Sequence, residues 1–367
     1  MIPNIFSFFA GSGFLDLGFE KSGYSIKLVN EFLPAFMNAY QYSRKEMKLD
    51  VPEFGYQNND INDFLISRQK EIKDYVKLSK KESLTGFIGG PPCPDFSVAG
   101  KNKGRDGDNG KLSQSYISSI VTFKPDFFLF ENVKGLWRTA RHREYFEELK
   151  NILHAAGYCT TERLTNSLEY GAPQDRDRIL LFGIQRKYLR ANQRHENEIV
   201  NFPWETKLQY SMANIQKCNW PTVDKFEKDC ERLQPENIIA DLTVEHWFEK
   251  NDVENHPNGM EFLQPKAGLK KMQIIPEGDV SKKCYKRLHR WRYSPTAAYG
   301  NNEVHLHPYK ERRLSVAETL AIQSLPKEFA LPPEMTLTAK FKTVGNGVPY
   351  LMGKGVAETI NDFLGSL

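Results

Sequence analysis

Residues 5–30 read IFSFFAGSGFLDLGFEKSGYSIKLVN, and their pattern of apolar runs and glycines indicates the fold class. The apolar run Ile5–Ala10 predicts a buried strand, and the glycines that follow it predict a tight turn into a helix over Phe14–Lys21. Ile26–Asn30 is a second apolar run of strand length. A strand, a glycine turn, a helix and another strand in this order are typical of a parallel sheet covered by helices.

The same alternation continues to about residue 186. It predicts strands over 86–90, 126–131 and 179–184 and helices over 112–123 and 141–156. From there to about residue 310 the chain is polar, rich in Pro and Asn, and without this rhythm. Regular patterning returns with two helices, over 315–323, which opens with a Ser cap and a Glu at the third helical position, and over 350–363. We therefore expect one α/β domain interrupted by an irregular module.

The composition is that of an ordinary globular protein, with 367 residues, 40% hydrophobic and 26% charged. This length suits one large domain and a smaller one. No apolar run approaches the roughly 20 residues that span a bilayer, and the first residues lack the pattern of a signal peptide. We expect a cytoplasmic protein. Its five cysteines include no Cys-x-x-Cys pair, which predicts reduced thiols and no metal site.

Charge is distributed unevenly along the polar module. The net charge of +4 is only mildly basic, but acidic residues outnumber basic ones over 224–262, whereas 282–293 is densely basic and aromatic. A basic run of this kind is either a solvated surface or a phosphate-binding one.

The glycine turn at residues 11–13 lets a nucleotide-like ligand approach the backbone closely. Glu31, at the end of the second predicted strand, is placed to bind ribose hydroxyls. A plain turn explains the glycines equally well. A dinucleotide dehydrogenase also fits, although the third glycine of its fingerprint is missing.

Cys93 follows two prolines at the end of the predicted strand 86–90, in the stretch Gly89–Pro94. The prolines fix the backbone and present the next side chain at the crevice where open α/β sheets bind ligands. The alternative is a buried structural cysteine. The rigid polar setting favours a reactive thiol.

Two further signals follow. Glu131 ends a strongly apolar strand, so desolvation should raise its pKa and allow it to donate a proton. The alternative is a strand-end Glu that caps a helix or pairs with an arginine. Arg176 and Arg178 alternate beside a strand and project on one face, where they hold a polar ring or a phosphate, or pair with Asp175 and Asp177.

Taken together and in this order, these motifs strongly resemble the bacterial DNA (cytosine-5) methyltransferase family. The resemblance covers residues 5–185 and 311–367, and it rests on Phe9–Gly13, Glu31, Asp60-Ile61, Pro91–Cys93, Glu131–Val133, Gln174, Arg176, Arg178, Arg313–Gln323 and Gly345–Val348. The unmatched stretch between them corresponds to the variable target-recognition region of that family.

The resemblance implies a Rossmann-like domain that uses S-adenosylmethionine, spanning 1–186 and 335–367, and a smaller target-recognition domain over 187–334. The donor site it implies comprises Phe9, Ala10, Gly11, Ser12, Gly13, Glu31, Asp60, Ile61, Asn346 and Val348. Cys93 would be the nucleophile, Glu131 the acid at cytosine N3, and Arg176 and Arg178 a clamp around the base and its phosphate. A loop over 96–110 would close over DNA.

The sequence departs from the family pattern at four positions. Ser7 stands where the family often carries Asp, and Phe14 stands where it carries a second glycine. Pro94 follows Cys93 where Gln is common, and Asn109 replaces an Arg of the loop. None of these changes removes a group that the covalent chemistry needs.

The implied substrate is cytosine in double-stranded DNA, and the implied setting is a restriction–modification system with a cognate endonuclease as functional partner. We expect a monomer. The predicted DNA contacts are Ser97, Lys101, Lys286, Arg287, Arg290 and Arg292. A cytosine-5 methyltransferase of tRNA shares the motifs, but the long insertion with its basic cluster favours DNA.

Two other classes of protein are less consistent with the sequence. A non-catalytic DNA-binding protein of the same fold would not need Cys93, Glu131, Arg176 and Arg178 together. Adenine and cytosine-N4 methyltransferases need an aromatic residue after Pro-Pro, where this chain has a thiol.

Overall fold

The computed structural model describes residues 2–92, 108–264, 269–296, 299 and 303–367. The strands are β1 Asn4–Phe8, β2 Ser25–Asn30, β3 Tyr56–Gln57, β4 Thr85–Gly89, β5 Phe127–Val133, β6 Tyr158–Asn166, β7 Gln174–Asp175, β8 Asp177–Gln185, β9 Arg194–His195, β10 Glu198–Ile199, β11 Lys286–Arg287, β12 Ser294–Pro295 and β13 His305–Leu306.

The helices are α1 Phe14–Lys21, α2 Pro34–Glu46, α3 Ile61–Ile66, α4 Gln69–Glu82, α5 Asp108–Phe123, α6 Gly135–Arg138, α7 Ala140–Ala155, α8 Met212–Lys217, α9 Val244–Lys250, α10 Leu269–Ile274, α11 Val316–Ile322, α12 Leu337–Asn346 and α13 Tyr350–Gly365. Short 3-10 helices occupy Ser167–Tyr170, Arg186–Tyr188, Ala191–Gln193 and Ala240–Leu242.

One twisted sheet organises the large lobe, with the strand order β3-β2-β1-β4-β5-β8-β6-β10-β9. Strands β1 to β5 are parallel, and β8 runs antiparallel to β5 and β6 on either side of it. The chain goes from β1 outward to β2 on one side and returns to β4 on the other. The carboxyl ends of β1 and β4 therefore border the crevice at which such sheets bind ligands.

The sheet is buried on both faces, as its apolar strands require. On one face lie residues of α2 and α13, such as Met37, Tyr40 and Ile360; on the other lie residues of α5 and α7, such as Ile117 and Phe146. This confirms the α/β class predicted from the alternating sequence pattern.

The sheet continues past residue 186, because β10 pairs with β6 and β9 pairs with β10. Phe202 then packs against Phe182 and Phe363, with ring centroids 4.8 Å apart in both pairs. The core of the large lobe therefore includes residues that lie inside the segment 187–334.

A second lobe is built mainly from residues 212–335 with short elements. Its core joins the large lobe through α1 and α2, since Phe14 and Phe36 pack in the same cluster as Trp247, Phe329 and Phe341. The short β12 also pairs with β7. Within the described ranges, no helix is long and apolar enough to cross a membrane.

The last helix returns to the start of the chain. A Cβ added at Gly18 of α1 would lie 2.5 Å from the carbonyl carbon of Gly353 in α13, so the two helices pack at backbone distance. The Tyr24 hydroxyl donates to the Ala357 carbonyl over 3.0 Å. The last helix therefore packs directly on the first helix of the chain.

Candidate active site

A cavity of about 1220 Å³ opens at the carboxyl ends of β1, β2, β4 and β5. Residues of both lobes line it. From the large lobe come Phe9–Ser12, Glu31, Phe32, Asp60, Ile61, Gly90–Pro92, Glu131, Arg176 and Arg178, and from the remainder come Lys286, Pro295, Thr296, Glu303, Asn346 and Val348. The predicted donor-site and catalytic residues that the structure describes thus converge on one space, apart from Gly13, which lies just beneath it.

The turn after β1 needs glycine for two different reasons. Phe9, Gly11 and Gly13 all have positive φ, of 54°, 57° and 79°. A Cβ at Gly11 would meet nothing within 4 Å, so this glycine leaves its backbone open to the cavity. A Cβ at Gly13 would lie 2.4 Å from the ring of Tyr40. Gly11 therefore gives a ligand access, and Gly13 allows close packing.

Glu31 is fixed by the turn and by α2. One carboxylate oxygen accepts a hydrogen bond from the Gly11 amide and the other from the Leu33 amide, both over 2.8 Å. Burial raises the pKa of Glu31, while these amides act in the opposite direction. The carboxylate keeps further lone pairs, so it can accept hydroxyl groups from a ligand in the cavity.

The far wall is formed by the start of α3. Asp60 caps this helix by accepting from the Asn62 amide over 2.8 Å, and Ile61 is buried beside it. Sequence reasoning missed Phe32, which also lines the cavity although 62% of its surface is exposed. The available signal was an aromatic residue directly after the acidic Glu31, because an exposed aromatic face is suited to stacking on a planar ring.

The turn is tied to α12 near the end of the chain. The hydroxyls of Ser12 and Thr343 lie 2.7 Å apart. A Cβ at Gly347 would lie 2.2 Å from the Phe14 ring. The bulk of Phe14, at a position where the family carries glycine, is thus accommodated by a glycine on the opposing segment.

Glu131 meets Arg178 at the end of β5. The Nε of Arg178 lies 2.6 Å from Oε1 of Glu131, and both side chains are nearly buried. A Cβ at Gly90 would lie 2.5 Å from Oε2 of Glu131. The carboxyl group is therefore held between an arginine and the backbone just beyond β4, where the sequence left helix capping and arginine pairing open.

Arg176 points the other way. Its Nη2 donates to the carbonyls of Gly345 and Asn346 over 3.0 and 3.3 Å, and only 2% of the residue is exposed. Burial, and then the charge of Arg178, holds the pKa of Arg176 well below its usual range. Arg178 thus connects β8 with Glu131, and Arg176, which lies between β7 and β8, connects these strands with the end of α12.

The neighbouring carboxylates have other partners. The amide of Asn166 donates to Asp175 over 2.7 Å and to Asp177 over 2.9 Å, and Lys134 also pairs with Asp177.

Three predicted residues lie outside the described part of the chain, namely Cys93, Ser97 and Lys101, and so does the predicted loop as far as residue 107. The segment that leads to Cys93 is described, and Gly90, Pro91 and Pro92 line the cavity.

The predicted DNA contacts of the second lobe separate into two groups. Arg287 is fully buried and donates to the carbonyls of Ile275, His307 and Lys310, and Arg290 is buried in an ion pair with Glu277 at 2.9 Å. Both guanidinium groups are committed to the interior of the lobe.

Lys286 and Arg292 are placed differently. Lys286 is half-buried and lines the cavity. Arg292 is half-buried and donates to the Pro221 carbonyl over 3.2 Å. Fewer positive charges of the basic cluster are therefore available to bind DNA than its sequence suggests, because Arg287 and Arg290 are buried.

Sequence reasoning also missed a buried polar cluster beneath the turn. Asp16, in the first turn of α1, accepts hydrogen bonds from Ser7 over 2.9 Å and from Tyr40 over 3.0 Å. Arg44 donates to the Gly13 carbonyl over 2.7 Å and pairs with Glu20 over 2.8 Å. Burial raises the pKa of Asp16 to about 6 against the opposing charge of Arg44. Ser7 stands where the family often carries Asp, and in this structure Asp16 of α1 places a carboxylate beside it.

Within the described residues, no group of three His, Cys, Asp or Glu side chains is arranged to hold a metal ion.

A strand order that reverses at β1, an open glycine turn and an acidic residue after β2 define a Rossmann-like α/β domain of the kind found in methyltransferases. An Escherichia coli prophage-encoded DNA modification methyltransferase has the same fold, with a TM-score of 0.60 at 19% identity and full coverage of both chains.

Comparison with known sequences gives the family. The model of C-5 cytosine-specific DNA methylases matches residues 4–362. The Type II methyltransferase M.NmeDI of Neisseria meningitidis is 55% identical over 98% of this chain and 84% of its own. M.FnuDI of Fusobacterium nucleatum, also a Type II methyltransferase, is 28% identical over 98% and 95%. The chain belongs to the C-5 cytosine-specific DNA methylase family, and it is a DNA (cytosine-5)-methyltransferase, as the sequence motifs predict.

Proposed function

We propose that this enzyme transfers a methyl group from S-adenosylmethionine to C5 of a cytosine flipped out of duplex DNA, with Cys93 as covalent nucleophile. One observation carries the proposal. The open turn at Gly11, the segment Gly90–Pro92 and the Glu131–Arg178 pair all line a single cavity. The proposed donor site and the proposed base site are therefore adjacent.

The residues around the turn fit the donor. Gly11 leaves open space where any other residue would place a Cβ, and Glu31 presents a carboxylate that suits ribose hydroxyls. Asp60, Ile61 and Phe32 offer a polar group and apolar faces to the adenine. When bound, S-adenosylmethionine supplies an electrophilic methyl group on a positively charged sulfur.

The chain's own residues would make C5 of cytosine nucleophilic. The Cys93 thiolate adds to C6, and a proton placed at N3 by Glu131 completes an enamine whose C5 can attack the methyl group. Loss of the C5 proton to water, return of the N3 proton to Glu131 and elimination of the Cys93 thiolate then restore the aromatic ring. This divides one difficult substitution into easier steps. Arg176 and Arg178 line the same cavity as Gly90–Pro92, and we expect positive charge there to favour the thiolate.

The target base must leave the helix, because a stacked cytosine cannot enter such a cavity; flipping costs roughly a few kcal/mol. Lys286 lines the cavity from the second lobe, and Arg292 lies in the same basic cluster. We assign phosphate contacts to these two residues, together with Ser97 and Lys101 of the predicted loop. Such contacts supply affinity, whereas base-edge contacts supply specificity.

A Type II restriction–modification role is supported by the names and overall identity of the relatives. In that setting the enzyme protects one sequence from a cognate endonuclease, and a monomer suffices for the reaction.

The test uses the purified full-length enzyme with S-adenosylmethionine and, separately, plasmid DNA and bulk tRNA. Bisulfite sequencing should reveal 5-methylcytosine at one recurring DNA sequence and none in tRNA. Methylation of tRNA alone would contradict the proposal, and DNA binding without any methyl transfer would make the chain a non-catalytic binding protein.

A further inference from the structure

Asp16 is a buried carboxylate that lines the proposed donor cavity, although only 1% of the residue is exposed. It sits in the first turn of α1, directly after the glycine turn. Its two oxygens are held by Ser7 from β1 and by Tyr40 from α2. The carboxylate is thus fixed in position from two sides at the floor of the cavity.

The cluster around Asp16 carries an excess of negative charge. Asp16 and Glu20 contribute two carboxylates, and Arg44, which is paired with Glu20 over 2.8 Å, contributes one cation. Arg44 also donates to the Gly13 carbonyl, so part of its donor capacity faces the backbone. When both acids are ionised the cluster has a net charge of −1, and Asp16 is the carboxylate that adjoins the cavity.

A buried charge without a full counter-charge is costly, and such groups often serve binding or catalysis. A charge in a low-dielectric setting acts over several ångströms on a ligand that is itself shielded from water. The proposed donor and its product, S-adenosylhomocysteine, differ by the methyl group and by the positive charge on sulfur. A negative charge in the wall of the cavity attracts the cationic donor and does not attract the neutral product in this way.

We propose that Asp16 is a specificity-determining residue that makes the cavity favour the cationic donor over the neutral product. The neutral product is attracted to Asp16 less strongly than the donor is, so it is released more easily and donor replaces it. This inference rests on the proposed donor site, and it concerns the charge of the ligand and not its adenosine part, which is common to both molecules.

The test is calorimetric measurement of the Kd of S-adenosylmethionine and of S-adenosylhomocysteine for the full-length wild-type enzyme and for Asp16→Asn at pH 7.5. The ratio of product Kd to donor Kd should fall about threefold to tenfold in Asp16→Asn, because only the donor loses an electrostatic attraction. Asp126→Asn is the matched control, since Asp126 is also a buried carboxylate but belongs neither to this cluster nor to the cavity lining, and its ratio should stay within about twofold of wild type.

A pH series on the wild-type enzyme gives the same answer without a variant. Charged or titratable groups near Asp16 are Arg44 and Tyr40 from α2, Glu20 from α1 and Tyr116 from α5. Because burial raises the pKa of Asp16 to about 6, the ratio should be lower at pH 5.2 than at pH 7.5. Glu31 shares the cavity, so the same series on Asp16→Asn shows how much of the change belongs to Asp16.

The outcomes are distinct. An unchanged ratio in Asp16→Asn, or, if that variant does not fold, a flat wild-type pH series, overturns the role of Asp16 while leaving the donor site intact. Failure of both nucleosides to bind the wild-type enzyme would instead contradict the proposed function.

Discussion

Arg178 and Glu131 form a nearly buried ion pair, with Nε and Oε1 2.6 Å apart, at the junction of β5 and β8. These strands are antiparallel, and register places Glu131 opposite Leu180 and Val133 opposite Arg178. The pair is therefore a consequence of the strand reversal, which brings a carboxylate from a parallel strand beside a guanidinium from its antiparallel neighbour.

Glu131→Gln should slow methylation by about a hundredfold or more, since the amide cannot deliver a proton to the base. The Kd of S-adenosylmethionine should stay within about twofold, because Glu31 and the turn are untouched. Single-turnover kinetics and calorimetry measure the two quantities. A large loss of donor affinity with little loss of rate would show that Glu131 serves the donor site.

Gly11→Ala should weaken donor binding, because the new methyl group enters the space that the turn leaves open. The positive φ of 57° should also cost about 1 kcal/mol of stability. Gly157→Ala is a matched control, since Gly157 has a φ of 93° and open surroundings but does not line the cavity. Both variants should lose similar stability in denaturant titrations, and equal donor Kd values for the two would contradict the assignment of Gly11.

Asp16→Asn should remove a pH-dependent penalty on folding. The folded-state pKa of about 6 lies above the ordinary value of 3.8, so the folded protein binds more protons between these values and loses stability as pH rises through them. From pH 5 to pH 7.5 the wild type should lose about 1 kcal/mol relative to Asp16→Asn. Denaturant unfolding at both pH values checks this, and a difference that does not vary with pH would mean that Asp16 does not titrate in this range.

Lys286→Ala and Arg287→Ala should have opposite signatures, although the residues are adjacent. Lys286 faces the cavity, so its loss should weaken DNA binding and reduce the slope of log K against log salt by about 1, with little change in stability. Arg287 is buried against several carbonyls, and its loss should cost about 3 kcal/mol of stability. If Arg287→Ala folded and showed a reduced salt slope while Lys286→Ala kept the wild-type slope, Arg287 and not Lys286 would be the phosphate contact.

Sequence pattern predicted the elements that are apolar and locally regular. The strands β1, β4, β5 and β8 and the helix α7 lie within a few residues of their predicted bounds. The Ser315–Glu318 capping box is present in full. In each case local chemistry suffices, because continuous apolar runs and capping hydrogen bonds do not depend on distant partners.

The pattern failed where tertiary pairing decides the structure. β6, with the sequence YCTTERLTN, has no apolar run, and it is a strand because it pairs with β8 along its full length. The burial of Arg287 and Arg290 could not be predicted either, because a run of basic residues is expected at the surface unless its carbonyl and carboxylate partners are known. The contribution of Asp16 depends on Ser7 and Tyr40, which come from separate elements.

The proposed covalent role of Cys93 can be tested by trapping on a duplex that carries 5-fluorocytosine at the methylated position. The wild-type enzyme with S-adenosylmethionine should form a complex that survives denaturing electrophoresis, because fluorine cannot leave C5 as the proton does. Cys93→Ser should bind the same duplex and form no such complex. A stable complex with Cys93→Ser, or no complex with an active wild-type enzyme, would contradict covalent catalysis by Cys93.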